Sequence, residues 1–265
     1  MINAIRKTAA AATAIGLASC TQTPPTHFIP DTQAVRNVVL VHGAFADGSG
    51  WRGVYDELTA RGYRVSIVQN PLTSFADDVN ATRRILARQD GPSILVGHSY
   101  GGSVITEAGT DPGVAGLVYV SALAPDIGES TGDQFAEIPA PPEFVIETGP
   151  DGFGFVNTEL FKAGFAGDTT DNDAAFLRAS QVPINMSIFG TPLTQAAWRD
   201  KPSWFVVATQ DRAIDPRLLR QQAERIGAEI TEVEASHVPF LTQPQAVADV
   251  IDAAARNVSQ AAASS

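Results

Sequence analysis

The chain has 265 residues, 44% hydrophobic and 18% charged, which suits one domain with a substantial core and an insertion. Its formal net charge of −11 excludes a nucleic-acid partner, because little would neutralise phosphates and release their counterions. The single cysteine, Cys20, excludes an intramolecular disulfide.

Residues 1–20 read as an export signal: Arg6 and Lys7 without an acid, a short apolar run too brief to span a bilayer, then Leu17-Ala18-Ser19-Cys20. That ending resembles the lipobox of bacterial lipoproteins, in which the cysteine is lipidated. The expectation is export from a bacterial cytoplasm, with Cys20 anchored to the outer membrane or facing the periplasm, and otherwise secretion. Membrane contact is expected only through that anchor. Residues 21–34, rich in Thr and Pro, read as a tether.

From residue 35 strands and helices alternate. The β-branched run 37–41 predicts a strand buried on both faces, followed by the Gly-dense loop 42–50 and a helix over 51–61. A strand over 64–68, a helix over 77–88, a strand from 93, a helix from 101 and a strand over 114–120 continue the rhythm. Residues 124–201 lose it, and their length and apolar content (Phe135, Phe144, Phe153, Phe155, Phe161, Phe165, Phe176, Met186, Phe189, Trp198) predict a lid rather than a bare loop. Within it a helix is expected near 173–179. The alternation resumes with a strand over 203–208, a helix after Asp215-Pro216, a strand over 229–233 and a helix over 247–254, before a frayed tail at 258–265. The expected fold is α/β: a doubly wound, mostly parallel sheet of about six strands, with helices on both faces and the lid inserted between core segments 35–123 and 202–257.

The central stretch, Gly97-His98-Ser99-Tyr100-Gly101, joins a strand to a helix with no room for an ordinary loop. A serine at such an apex is held in a strained backbone, with small residues flanking it and free helix N–H groups beside it. Ligands of open parallel sheets bind beyond the strands' carboxyl ends. Four features fall there: the His42 loop, Ser99, Asp211 and His237. A serine nucleophile needs a base, for which His237 is the candidate, and the base needs a buried acceptor. Asp211 fits that role, and the rival Asp215 reads as a helix N-cap. The oxyanion donors are expected to be the Ala44 and Tyr100 N–H groups, with Phe45 as the fallback for Ala44. Phe45, Phe153 and Phe155 are candidate substrate contacts. His98 is expected to point away from the serine, His42 to brace the oxyanion loop, and His27 to lie in the tether. No metal-ligand motif appears, so neither metal nor cofactor is implied.

The order Ser99, Asp211, His237, with Gly-His-Ser-Tyr-Gly and a preceding His-Gly loop, resembles the α/β-hydrolase fold superfamily across residues 35–255. Leu40-Val41-His42-Gly43-Ala44-Phe45 is similar to the branch containing plant methylesterases and hydroxynitrile lyases. The resemblance implies a serine carboxylesterase that cleaves small or medium esters through an acyl-enzyme. It leaves open a lactonase, hydroxynitrile lyase or perhydrolase, and more remotely a non-catalytic envelope lipoprotein that binds a ligand. Hydroxynitrile lyases of that branch rely on a lid lysine, and this chain offers Lys162 and Lys201 in or beside the lid.

Overall fold

The computed structural model describes residues 34–264. The expected export signal, Cys20 and His27 lie outside the described residues, as does the tether up to residue 33.

β1 (Asn37–Val41) leads through a 3-10 turn at Gly48–Trp51 into α1 (Arg52–Ala60). β2 (Arg64–Ile67), α2 (Phe75–Leu86), β3 (Ser93–His98), α3 (Gly101–Ala108) and β4 (Val114–Val120) follow. The insertion carries β5 (Ile146–Thr148), β6 (Phe153–Val156), α4 (Phe161–Phe165), α5 (Asp171–Ala179) and β7 (Ile184–Asn185). β8 (Ser203–Ala208), α6 (Pro216–Arg225), β9 (Glu229–Val233), α7 (Pro239–Thr242) and α8 (Pro244–Ala263) complete the chain.

The core sheet is six-stranded in the order β2-β1-β3-β4-β8-β9, and every pair is parallel. β1, β3 and β8 are buried at every residue, which is why they read as unbroken apolar runs. The edge strands expose Arg64 on β2 and Glu229 and Glu232 on β9, charges that discourage pairing with another chain. Val41 lies opposite Gly97, His98 opposite Val120, and Ala208 opposite Val233. The loops after β1, β3, β8 and β9 therefore leave from one edge of the sheet, and distant parts of the sequence meet there.

Local chemistry fixes the helix starts. α2 begins before the expected residue 77 because Ser74 caps it, its Oγ accepting the Asp77 N–H at 3.1 Å. Asp215 caps α6 as expected, accepting the Arg217 N–H at 2.8 Å ahead of Pro216. The C-terminal tail corrects the sequence expectation: residues 258–263 continue α8 instead of fraying. Val258 packs against the core, and the Ser259 hydroxyl accepts the Val35 N–H at 2.9 Å, which ties the last turns down.

The insertion folds as a three-stranded antiparallel sheet, β5-β6-β7, with two short helices. Its two ends run side by side. Gly128 N–H donates to Leu193 O at 2.9 Å, Leu193 N–H to Glu129 O at 2.8 Å, and the Trp198 indole to Pro125 O at 3.1 Å. Glu107 of α3 accepts the N–H groups of Thr194 and Gln195 at 2.8 and 2.9 Å, fastening the returning strand to the core.

Candidate active site

β3 and α3 are joined by Ser99 and Tyr100 alone. Ser99 has φ 53°, a left-handed conformation that costs a non-glycine residue about 1–3 kcal/mol unless its surroundings impose it. They do: its N–H donates to Val120 O at 3.2 Å, and its carbonyl accepts from Gly102 and Leu123 N–H at 2.9 and 3.2 Å. A Cβ at Gly97 would stand 2.5 Å from Gly101 O, and one at Gly43 would stand 2.8 Å from the Ser99 Cβ. The turn closes because both positions lack a side chain.

His237 follows β9 and is buried, with its Nδ1 2.7 Å from Asp211 Oδ2. The carboxylate accepts, so Nδ1 carries the proton and Nε2 is left as the basic nitrogen. Asp211 Oδ1 accepts the Ala213 and Ile214 N–H groups at 2.8 and 2.9 Å, which locks the carboxylate in place. Asp215 is instead committed to the α6 cap and to an ion pair with Arg217 at 2.7 Å.

Ala44 and Phe45 follow β1. Phe45 has φ 62° and bridges to Val182, whose N–H donates to Phe45 O at 3.3 Å. That bond occupies the Phe45 carbonyl and leaves the Phe45 N–H, like that of Ala44, without a protein acceptor among the described residues. Among the described residues neither the Ala44 nor the Tyr100 N–H has a protein acceptor. Ala44, Phe45, Ser99, Tyr100 and His237 all line one cavity of about 280 Å³. Its other walls are apolar, chiefly Phe135, Phe144, Phe165, Phe189, Met186 and Ile214. The Tyr100 hydroxyl is taken by Asp78 at 2.7 Å, and Thr131 Oγ1 donates to Ser103 at 2.8 Å.

The sequence model described as the alpha/beta hydrolase family matches residues 38–250. The chain belongs to the alpha/beta hydrolase family. A pyrethroid hydrolase of Sphingobium wenxiniae is 31% identical to this hydrolase over 250 residues, covering 82% of this chain and 86% of the other. An alpha/beta hydrolase of Aspergillus novofumigatus is 27% identical, covering 82% and 96%. Among solved structures, a pyrethroid hydrolase from Sphingobium faniae superposes with a TM-score of 0.73 at 25% identity, covering 84% of this chain and 98% of that one. Polyneuridine aldehyde esterase, at 18% identity and a TM-score of 0.71, covering 83% and 98%, shares the fold.

Two expected lid contacts of the hydrolase need correction. Phe153 and Phe155 do not line the cavity, and Phe155 is 41% exposed on a surface groove with Glu147 and Arg178. Composition marks an aromatic lid, but the facing of a three-stranded sheet decides which rings turn inward. Lys162 pairs with Asp171 at the surface, and neither it nor Lys201 lines the cavity.

The remaining histidines brace the site. His42 Nε2 accepts the Asn70 N–H at 2.9 Å, so its Nδ1–H donates to Gly43 O at 2.9 Å and holds the loop after β1. Burial pushes its pKa below the usual range, keeping the ring neutral. His98 is buried away from the cavity as expected, with Nε2 2.8 Å from His237 O. Asp78 escaped sequence reading because α2 looked like an ordinary acid-led helix. It is fully buried, accepts the Leu72 N–H at 2.8 Å as well as the Tyr100 hydroxyl, and burial pushes its pKa up to about 6.

Proposed function

We propose that this hydrolase is a serine carboxylesterase acting on small to medium neutral esters with an apolar or aromatic portion. The buried His237–Asp211 pair, opening with the strained Ser99 onto one cavity, carries this reading. His237 Nε2 takes the Ser99 proton as Oγ attacks the ester carbonyl carbon. The oxyanion is stabilised by the Ala44 and Tyr100 N–H groups, and Asp211 stabilises the imidazolium. The imidazolium then protonates the departing alkoxide as the ester C–O bond breaks, leaving acyl-Ser99 and an alcohol. Water, deprotonated by His237, attacks the acyl carbon in the same way and releases the acid and the free serine.

The cavity walls support a neutral substrate: among the described residues no Asp, Glu, Lys or Arg lines them, and the Tyr100 and Thr131 hydroxyls are already committed. A charged acid or alcohol portion would be desolvated there without compensation. The absence of a lysine from the cavity lining, among the described residues, favours hydrolysis over cyanohydrin cleavage. The pyrethroid hydrolase relatives add a pyrethroid, a neutral ester with an aromatic alcohol portion, to the panel.

The test is hydrolysis of short-chain aryl esters and a pyrethroid by wild type and Ser99→Ala. The serine variant is expected to lose at least about a thousandfold in kcat. Equal activity of the two proteins would refute the assignment.

A further inference from the structure

Phe45 and Phe165 also line a second, small cavity of about 30 Å³, together with Trp51, His98, His42 and Phe240, which reaches the surface at Ser49 and Ser180. Two of its lining residues, each about 1% exposed, carry a polar atom with no hydrogen-bond partner among the described residues: the Trp51 indole Nε1 and His98 Nδ1. Their rings meet edge-on with centroids 6.5 Å apart. These two atoms are complementary. His98 Nε2 faces the His237 carbonyl at 2.8 Å, and a carbonyl only accepts, so Nε2 carries the proton and Nδ1 presents a lone pair. The indole N–H only donates. Burial, reinforced by the neighbouring His237, keeps His98 neutral. Gly43 leaves the approach open, since a Cβ there would stand 3.0 Å from Nδ1.

We propose that this cavity binds one water molecule, which accepts from Trp51 and donates to His98, and that His98 so held is a positioning residue for His237. A space of this size takes one water, and two buried polar partners are the minimum that makes it worth ordering. The water satisfies Nδ1 in the Nε2–H tautomer that the His237 carbonyl selects. That tautomer pins the His237 backbone, and the His98 ring packs on the His237 ring with centroids 4.7 Å apart. The chain Trp51, water, His98, His237 carbonyl thus steadies the base through its backbone, while Asp211 holds its ring. The inference rests on His237 being the base.

A crystal structure at about 1.5 Å is expected to show a single water within hydrogen-bond distance of both Trp51 Nε1 and His98 Nδ1, a distance at which each bond would be formed. No peak, or one bonded to neither atom or to one alone, overturns the water site. Ring ¹⁵N spectra of the wild type are expected to report His98 as the Nε2–H tautomer throughout pH 5–9, and an Nδ1–H tautomer or an imidazolium overturns the scheme. In kinetics, His98→Phe removes the donor to His237, whereas His98→Gln keeps an amide N–H at that position. His98→Phe is expected to lower kcat about tenfold or more with KM little changed. His98→Gln is expected to recover most of the loss. A folded His98→Phe that changes KM alone, or a folded His98→Gln no better than it, refutes the positioning role. Should His237→Ala retain full esterase activity, it is the assignment of the base that fails, and the crystallographic water still stands or falls separately.

Discussion

Asp78 is the buried group whose behaviour can be worked out most fully. Its carboxyl has no exposed surface, accepts from Leu72 N–H and Tyr100 OH, and has its pKa pushed up by burial to about 6 from an ordinary 3.8. The folded state therefore binds this proton more tightly than the unfolded state, by about 3 kcal/mol. Below pH 3.8 both states hold the proton and nothing is lost; above about 6 both are ionised and the whole difference weighs against folding. The contribution to stability is thus lost as pH rises through that window, the opposite of a salt-bridged aspartate. Between pH 4.5 and 7.5 the change amounts to about 2 kcal/mol. Asp78→Asn does not titrate. It also forfeits one acceptor, a pH-independent cost of about 1–3 kcal/mol. Urea unfolding of both proteins, followed by tryptophan fluorescence, is expected to show the wild type's advantage shrinking by about 2 kcal/mol across that range, because the other carboxylates cancel in the difference. A constant gap, or one widening in the wild type's favour as pH rises, would refute the burial argument.

Asp211→Asn keeps the shape beside His237 but favours the wrong tautomer, and is expected to lower kcat about 10⁴-fold with KM nearly unchanged in steady-state ester hydrolysis. Gly97→Ala sets a Cβ 2.5 Å from Gly101 O, a backbone atom that cannot step aside. It is expected to cost about 1–3 kcal/mol in denaturant unfolding and to depress kcat further than stability alone explains, because the elbow carries Ser99. Phe189, whose ring lies 5.9 Å from Tyr100 and 6.5 Å from Phe45, closes one side of the cavity. Phe189→Trp is expected to lower kcat/KM for a bulky aryl ester about tenfold relative to an acetate, as measured on matched substrates.

The legible parts of this protein are those with local causes. A run such as Val38-Val39-Leu40-Val41 declares a strand buried on both faces, and Ser99 between Gly97 and Gly101 declares a strained turn. Asp215 could be set aside beside Asp211 because Pro216 already explained it as a cap, and the cap is there. The parts that stayed hidden depend on partners far along the chain. Tyr100 meets Asp78 across 22 residues and His98 meets His237 across 139, and neither separation leaves a periodic trace. The lid rings fail for a related reason: Phe153 and Phe155 occupy the same strand, but the direction that strand faces is set by its neighbours β5 and β7. The last turns of α8 leave little mark in the sequence, because their Ala/Ser composition is weak in isolation and gives no sign of the contact between Ser259 and Val35.

The clasp between residues 125–129 and 193–199 makes the lid a replaceable part. Chain entry and exit are pinned next to each other by Gly128, Leu193, Trp198 and Glu107, so a replacement segment would leave and rejoin the core at the same points, provided it restored the bonds that Val182 and Asn185 make to Phe45 and Leu72. Doubling the length of chain spanned would add only about 0.6 kcal/mol of closure entropy. The insertion supplies one part of the cavity wall, including Phe144, Phe165 and Phe189, and the core supplies the other, including Phe45 and Ile214. Exchanging the segment inside the clasp would change the Phe144 and Phe165 rings that pack against His237 while leaving the strands that carry Ser99 and Asp211 in place.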